Sequence, residues 1–357
     1  LTDSRIGQLY GAATLTSALV LTYTGRYIDK ISLKKYLILV VVGFGLVNIL
    51  LGFSYSILMV FISIFGLRHF GQGLMSHTSM TVMSRYFEAA RGKALSFAAF
   101  GYPLGEALMP SLVVILIGLF DWRLSLIIIG CFILFFVLPV LFQLEKKIPK
   151  LKAVTGEKVN TERAWGQLDV LSDKRFYIIG PNIFSMSLII TAILFYQLSL
   201  ADFKNWSHTW MAGSLIGYAI SGTASIFLSG WLIDNFSAKK IFPFFLLPMA
   251  LGIFILSVSD HQLSYSIFLI LAGVSTGIGS PVKDAAIAEV YGVKTIGTVR
   301  SLFTALMVLS TAIGPVLIGY FIDFYSFNHA FYVCIGLIGL SFLPGLLFLK
   351  NERLKKS

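Results

Sequence analysis

Gly25-Arg-Tyr-Ile-Asp29-Lys30-Ile-Ser32-Leu-Lys34-Lys35 is a short polar turn between two long apolar runs, and it occurs twice. The second copy, Gly230-Trp-Leu-Ile-Asp234-Asn235-Phe-Ser237-Ala-Lys239-Lys240, follows 205 residues later with Gly, Ile, Asp, Ser and the lysine pair at identical spacing. The same offset carries Tyr86 onto Tyr291, Gly92 onto Gly297 and Pro110 onto Pro315, with no gap. One such match is chance. A series at one offset, each at the same place relative to an apolar run, marks a duplicated half.

The runs flanking these turns are of membrane length. Eleven lie at about 6–28, 36–55, 57–85, 92–119, 124–143, 176–200, 209–233, 241–258, 263–289, 295–323 and 328–349, against the roughly 20 residues a helix needs to cross a bilayer. All exceed the length of a barrel strand and most lack its alternation, so the chain reads as an all-α polytopic membrane protein. Composition agrees: 57% of the 357 residues are hydrophobic and 13% charged, with a mean hydropathy of +0.84. Two cysteines are too few for a disulfide scaffold or a Cys-based metal centre, and neither a metal nor a cofactor is expected.

The net charge of +11 does not call for nucleic acid. If the gaps between runs are assigned alternately to two sides, 23 of the 28 Lys and Arg residues fall on one side. The other side holds Arg5, Arg123 and Lys204, and Arg68 and Lys283 lie within helices. The positive-inside rule makes the 23-residue side cytoplasmic. That places residue 1 outside and the C-terminus inside a cell (inner) membrane.

The longest polar stretch separates the repeated halves. The expected organisation is a first bundle at 1–143, a cytoplasmic linker at 144–175, a second bundle at 176–349 and a cytoplasmic tail at 350–357. The run at 176–200 has no partner in the first half, because the offset places it at −29 to −5, ahead of Leu1. The complete protein is therefore expected to hold twelve helices, of which this chain carries eleven.

The 25–35 turn resembles the loop signature of the major facilitator superfamily, Gly-x-x-x-Asp-Arg/Lys-x-Gly-x-Lys/Arg-Lys/Arg. Ser32 stands where the family prefers Gly, and the second copy has Asn235 where a basic residue is usual. The resemblance implies two pseudo-symmetric six-helix bundles. It also implies a gating role, as latches between the halves, for Gly25, Asp29, Lys30, Lys34, Lys35, Gly230, Asp234, Lys239 and Lys240. A carboxylate at Asp29 suits this physically, since it can cap and complement a neighbouring helix N-terminus. The lysines suit an anionic leaflet, and the alternative is that these residues only mark orientation.

Charges inside the runs are the candidates for solute handling. Arg68 and Glu106 lie near the middle of the third and fourth runs, where each costs about 2.5–3.5 kcal/mol to insert. Gln72 shares a face with Arg68, and Tyr102 shares one with Glu106. One reading makes Arg68, Gln72, Tyr102 and Glu106 a midplane substrate site, with Arg68 on an anionic group and Glu106 taking up a proton. The other makes Arg68 and Glu106 a structural ion pair. Lys283 and Asp284, beyond Pro281, read as a hydrated inner-vestibule pair. His69 and His77 read as packing residues, and Asn205-Trp-Ser207 as a chance glycosylation triplet. Gly101-x-x-x-Gly105, Gly213-x-x-x-Gly217 and Gly273-x-x-x-Gly277 read mostly as helix-packing sites. The run from Gly101 to Pro110 lacks the Gly-Pro-x-x-Gly-Gly signature of drug–proton antiporters. With Arg85-Tyr-Phe-x-x-x-Arg91-Gly-x-Ala, it looks more like monocarboxylate or oxalate/formate-type members.

The sequence contains no Gly-x-x-x-x-Gly-Lys-Ser/Thr loop and no polar segment of ATPase size, so transport must draw on gradients. The expectation is a monomeric secondary transporter moving a small organic solute, an organic anion with proton coupling, by alternating access. A proton-coupled efflux antiporter of drugs or metabolites is the alternative. A polytopic membrane enzyme would need clustered His, Asp or Glu at one boundary, and the sequence shows no such cluster.

Overall fold

The computed structural model describes residues 3–146 and 164–353. Most of the 144–175 linker, the last four residues of the tail and Leu1 lie outside the described residues. Each of the eleven apolar runs is helical over most of its length. In chain order the helices are α1 (Asp3–Thr24), α2 (Leu33–Gly52), α3 (Ile57–Tyr86), α4 (Arg91–Leu119), α5 (Trp122–Glu145) and the short α6 (Gln167–Leu171). After these come α7 (Phe176–Phe195), α8 (Gln197–Lys204), α9 (His208–Phe236), α10 (Leu247–Val258), α11 (Leu263–Tyr291), α12 (Ile296–Phe324) and α13 (Phe327–Arg353). Among the described residues eight helices are long and apolar enough to cross a membrane: α2, α3, α5, α7, α9, α11, α12 and α13.

Helix ends fall where the sequence supplies caps. The Ser56 hydroxyl accepts from the Met59 amide at 3.2 Å, and the Asp121 carboxylate from the Arg123 and Leu124 amides at 2.6 and 3.0 Å. The duplication is visible in the helices themselves. The 205-residue offset carries α4 onto α12 residue for residue, and α3 onto α11 to within one. Leu19, Phe97, Phe135, Val316 and Leu340 are all at least 70% exposed, a surface suited to lipid rather than water.

The chain forms two compact units. One takes residues 1–86, 101–167 and 291–305; the other takes 87–100, 168–290 and 306–357. Each unit thus borrows a short segment from the opposite sequence half. In the first unit, Leu21, Ile28, Tyr36, Val40 and Leu74 form a buried cluster where α1, α2 and α3 meet. Helices α2 and α5 approach closely, since a Cβ on Gly130 would stand 2.7 Å from the Gly45 carbonyl oxygen. In the second unit, a Cβ on Gly277 would stand 2.3 Å from the Gly222 oxygen, so α9 and α11 meet along the Gly273-x-x-x-Gly277 face. Gly101, Gly105 and Gly213 meet nothing within 4 Å of an added Cβ and do not serve such a contact. Asn182 and Ser185 of α7 bond Ser341 of α13, at 3.1 Å to its carbonyl and 2.9 Å to its hydroxyl.

Candidate functional site

The borrowed segments are where the two repeated turns dock. Chain residues 25–29 leave α1 as a 3-10 turn, which carries Asp29 to the first turn of α12. A helix start exposes amides without intrahelical partners, and Asp29 meets them. Its carboxylate accepts from the Gly297 amide (3.1 Å), the Thr298 amide (2.6 Å) and the Thr298 hydroxyl (2.9 Å). Arg85, at the end of α3, pairs with the same carboxylate and reaches the Ile28 carbonyl at 3.4 Å. The Asp29 side chain is only 5% exposed, so its charge is neutralised by a guanidinium, two amides and the helix dipole together. The approach is tight enough to require glycine: a Cβ on Gly297 would lie 2.1 Å from Ile28 Cγ2, and one on Gly25 would lie 2.9 Å from Ser301 Cβ.

The second turn repeats this on the first turn of α4. Asp234 accepts from the Gly92 amide at 2.8 Å and the Lys93 amide at 3.3 Å. A Cβ on Gly92 would lie 2.4 Å from the Gly230 oxygen, and one on Gly230 would lie 2.7 Å from Ser96 Oγ. The Ser96 and Ser229 hydroxyls are 3.3 Å apart. Of the residues singled out in the sequence, the structure brings Gly25, Asp29, Gly230 and Asp234 into these joints. The lysines stand elsewhere. Lys30 lies over the Tyr27 ring (5.6 Å) and Lys34 over Phe142 (5.5 Å), while Lys35 and Lys240 are exposed. The Lys239 amide donates to Glu289, which also receives the Ala238 amide and the Ser237 hydroxyl and so caps the 238–241 turn.

Arg68 lies in a different setting. Helix α3 is π-helical over Leu67–Met75, a distortion that recurs at functional sites. The Arg68 guanidinium donates to the Gln72 side-chain oxygen and stacks 4.3 Å from the centroid of Tyr10. Its Nε is buried and has no hydrogen-bond partner among the described residues. Tyr102 is half exposed and within electrostatic reach. Glu106 belongs to α4, but its side chain lies outside the described residues, so the expected Arg68–Glu106 relationship does too. Lys283 and Asp284 form an ion pair at 3.3 Å on α11, with side chains 14% and 3% exposed, and Lys283 also reaches the Ser280 carbonyl. Among the described residues no group of three His, Cys, Asp or Glu could hold a metal.

Several residues of the joints were not singled out. Arg85 was counted as an orientation charge and as part of the Arg85-Tyr-Phe-x-x-x-Arg91-Gly-x-Ala resemblance, not as the partner of Asp29. Thr298, Glu289 and the Ser96/Ser301 pair carried no flag, although Ser96 and Ser301 are related by the 205-residue offset and could have been found by it. His77 is buried and contacts the Gly25 carbonyl at 3.1 Å, which fits the packing role read for it.

Two pseudo-symmetric carboxylate turns, each docked on a helix of the opposite repeat, agree with an independent match. The sequence model of the Major Facilitator Superfamily fits residues 1–224 and 210–357. The chain belongs to the major facilitator superfamily. It is accordingly a polytopic membrane transporter rather than an enzyme. The uncharacterized MFS-type transporter YcxA of Bacillus subtilis is 24% identical over 356 residues, covering 96% of this chain and 86% of that protein. A multidrug resistance protein B homolog of Mycobacterium tuberculosis is 30% identical over 144 residues. That alignment takes in 40% of this chain and only 26% of the relative's length. Among solved structures, the human organic anion transporter MFSD10 superposes with a TM-score of 0.75 at 15% identity, covering 95% of this chain and 83% of that one. The transporter FucP in its outward conformation gives 0.75 at 15% identity, covering 98% and 91%. At such identities the likeness speaks for the fold.

Proposed function

We propose that this transporter moves a small organic anion by alternating access, with protons as the coupling ion. The observation that carries the reading is Arg68. An arginine in mid-span, inside a π-helical segment, is costly unless it is paired, hydrated or serving a bound group. Its Nε is a buried donor with no acceptor among the described residues, and Gln72 and Tyr10 hold the guanidinium in place. Tyr102 borders the same region, and Glu106, one turn further along α4, is the proton-accepting group. The fold shared with an organic anion transporter supports the solute class, and the fold shared with the proton:xylose symporter XylE supports the coupling.

In this reading the chain makes eleven crossings in two bundles, 1–143 and 176–349, joined by 144–175 and followed by the tail. The Lys- and Arg-rich side faces the cytoplasm of the cell (inner) membrane, so Asp29 and Asp234 latch the cytoplasmic end. Lys283 and Asp284 stand in the inner vestibule. The transporter acts as a monomer.

Uptake of labelled monocarboxylates into proteoliposomes, with and without a pH gradient, tests the proposal. Arg68→Gln is expected to lower uptake at least about tenfold, the weight of a lost charge-assisted hydrogen bond. Uptake that keeps its affinity for the anion in Arg68→Gln sinks the substrate assignment. Glu106→Gln is expected to abolish stimulation by the gradient, and persistence of that stimulation sinks the coupling assignment. Efflux of drugs is the second reading, favoured by the partial alignments with the M. tuberculosis homolog and with the chloramphenicol resistance protein CraA of Acinetobacter baumannii. Chloramphenicol accumulation in cells expressing the chain separates the two.

A further inference from the structure

The linker between the repeats ends on the first joint. Trp165 is 8% exposed, although it belongs to a polar connecting segment. Its amide donates to the Thr295 hydroxyl at 2.8 Å, and its ring stands edge-on to Tyr291 with centroids 5.1 Å apart. Tyr291 ends α11 and Thr295 directly precedes α12, so both partners bracket the short connection between these helices. Two residues on, the Gln167 amide nitrogen donates to the Thr22 carbonyl near the end of α1 and lies 3.5 Å from the Ser301 hydroxyl of α12. That hydroxyl itself reaches the Thr22 carbonyl at 3.3 Å. Thr22 stands three residues before Gly25, and Ser301 is the residue that Gly25 packs against. Gln167 therefore spans the seam that Asp29 closes, with one partner on each side.

We propose that Trp165 and Gln167 form a strap that holds the Asp29 joint shut, making them positioning residues of the transport cycle that never touch solute. The proposal rests on the reading of that joint as a latch which opens during transport. If α12 parts from the 22–29 turn, Gln167 must give up one of its two partners. Trp165, seated against Tyr291 and Thr295, remains with the connection between α11 and α12. The linker then does more than connect: the force needed to separate the turn from α12 includes release of the strap. A linker that merely tethers the halves would not bury its one aromatic ring or direct a side-chain amide across the seam.

The strap is tested on the full chain in nanodiscs, with Cys131 and Cys334 replaced by serine. Spin labels go on Ser32→Cys and Lys294→Cys, on exposed positions either side of the seam. Pulsed electron–electron distance measurements then give the ratio of short, latched distances to long, open ones. Trp165→Ala keeps the backbone donor to Thr295 but removes the ring packed on Tyr291, and Gln167→Glu places an oxygen against the Thr22 carbonyl. Each is expected to raise the open fraction about fivefold, the weight of one aromatic pair or one net hydrogen bond. Trp165→Phe keeps a ring edge for Tyr291 and is expected to restore the ratio. If the strap only aids folding, Trp165→Ala lowers yield and melting temperature but leaves the ratio unchanged, and the proposal fails. Asp29→Ala distinguishes the two levels. If it opens the seam and the strap variants do not, only the strap is wrong; if it too leaves the ratio unchanged, the latch reading fails with it.

Discussion

The two docked turns share a backbone plan and differ in what their side chains add. Asp29 is buried and receives two amides, a hydroxyl and Arg85. Among the described residues, Asp234 is exposed and receives two amides alone. The offset shows where the difference arises. Arg85 corresponds to Val290, and Thr298 to Lys93, so the second joint lacks both the guanidinium and the hydroxyl. Duplication preserved the glycines, because backbones approach within van der Waals limits in both joints. Side chains around the carboxylates were free to diverge. The pair therefore consists of a strong, desolvated joint and a weak, hydrated one, and the weaker is expected to open first.

Asp29→Ala provides the hardest test of this asymmetry. Removing the carboxylate leaves Arg85 largely buried without its partner, a loss on the order of 3–5 kcal/mol, and hydrogen exchange of the amides at the start of α12 is expected to rise by several orders of magnitude. Gly297→Ala is expected to come next, since its Cβ must displace Ile28 from 2.1 Å; overpacking of this kind costs about 1–3 kcal/mol, read as weaker protection of the same amides. Asp234→Ala is expected to cost only about 1 kcal/mol, because water replaces what an exposed carboxylate gave, and exchange at Gly92 and Lys93 measures it. If Asp234→Ala equals Asp29→Ala in effect, the joints are energetically equivalent and the comparison breaks. The smallest effect sharpens it: Lys93→Thr transplants the hydroxyl of the first joint into the second. It is expected to slow exchange there by less than about 1 kcal/mol.

How far the sequence reached is clearest in these turns. The glycines, aspartates and their spacing were legible because they repeat, and repetition at membrane-helix ends has one economical cause. Approximate helix positions were legible from apolar length, while the caps at Ser56 and Asp121 were not singled out. Arg85 was legible as a charge and a motif position but not as the partner of Asp29, which lies 56 residues away with no periodicity to link them. Trp165 and Gln167 gave no signal: a tryptophan in a polar linker has no local reason to be buried. The lysines of the motif stand outside the carboxylate joints, Lys30 over Tyr27 and Lys34 over Phe142, with the Lys239 amide on Glu289. Arg68 and Gln72 were correctly read as sharing a face, while the π-helical winding that carries them was not foreseen.

Sequence alone determined that the chain crosses a membrane as helices, that it is built from two copies of one plan, and that it is a transporter of this family. These follow from hydropathy, charge placement and repetition, which are properties of the chain summed over tens of residues. Tertiary structure alone decided which carboxylate is buried, which arginine neutralises it, and that each compact unit takes a segment from the other repeat. Those outcomes depend on contacts between residues far apart in the chain. A difference of one or two side chains at such a contact changes its free energy by as much as the whole motif contributes, while leaving the motif unaltered in the sequence.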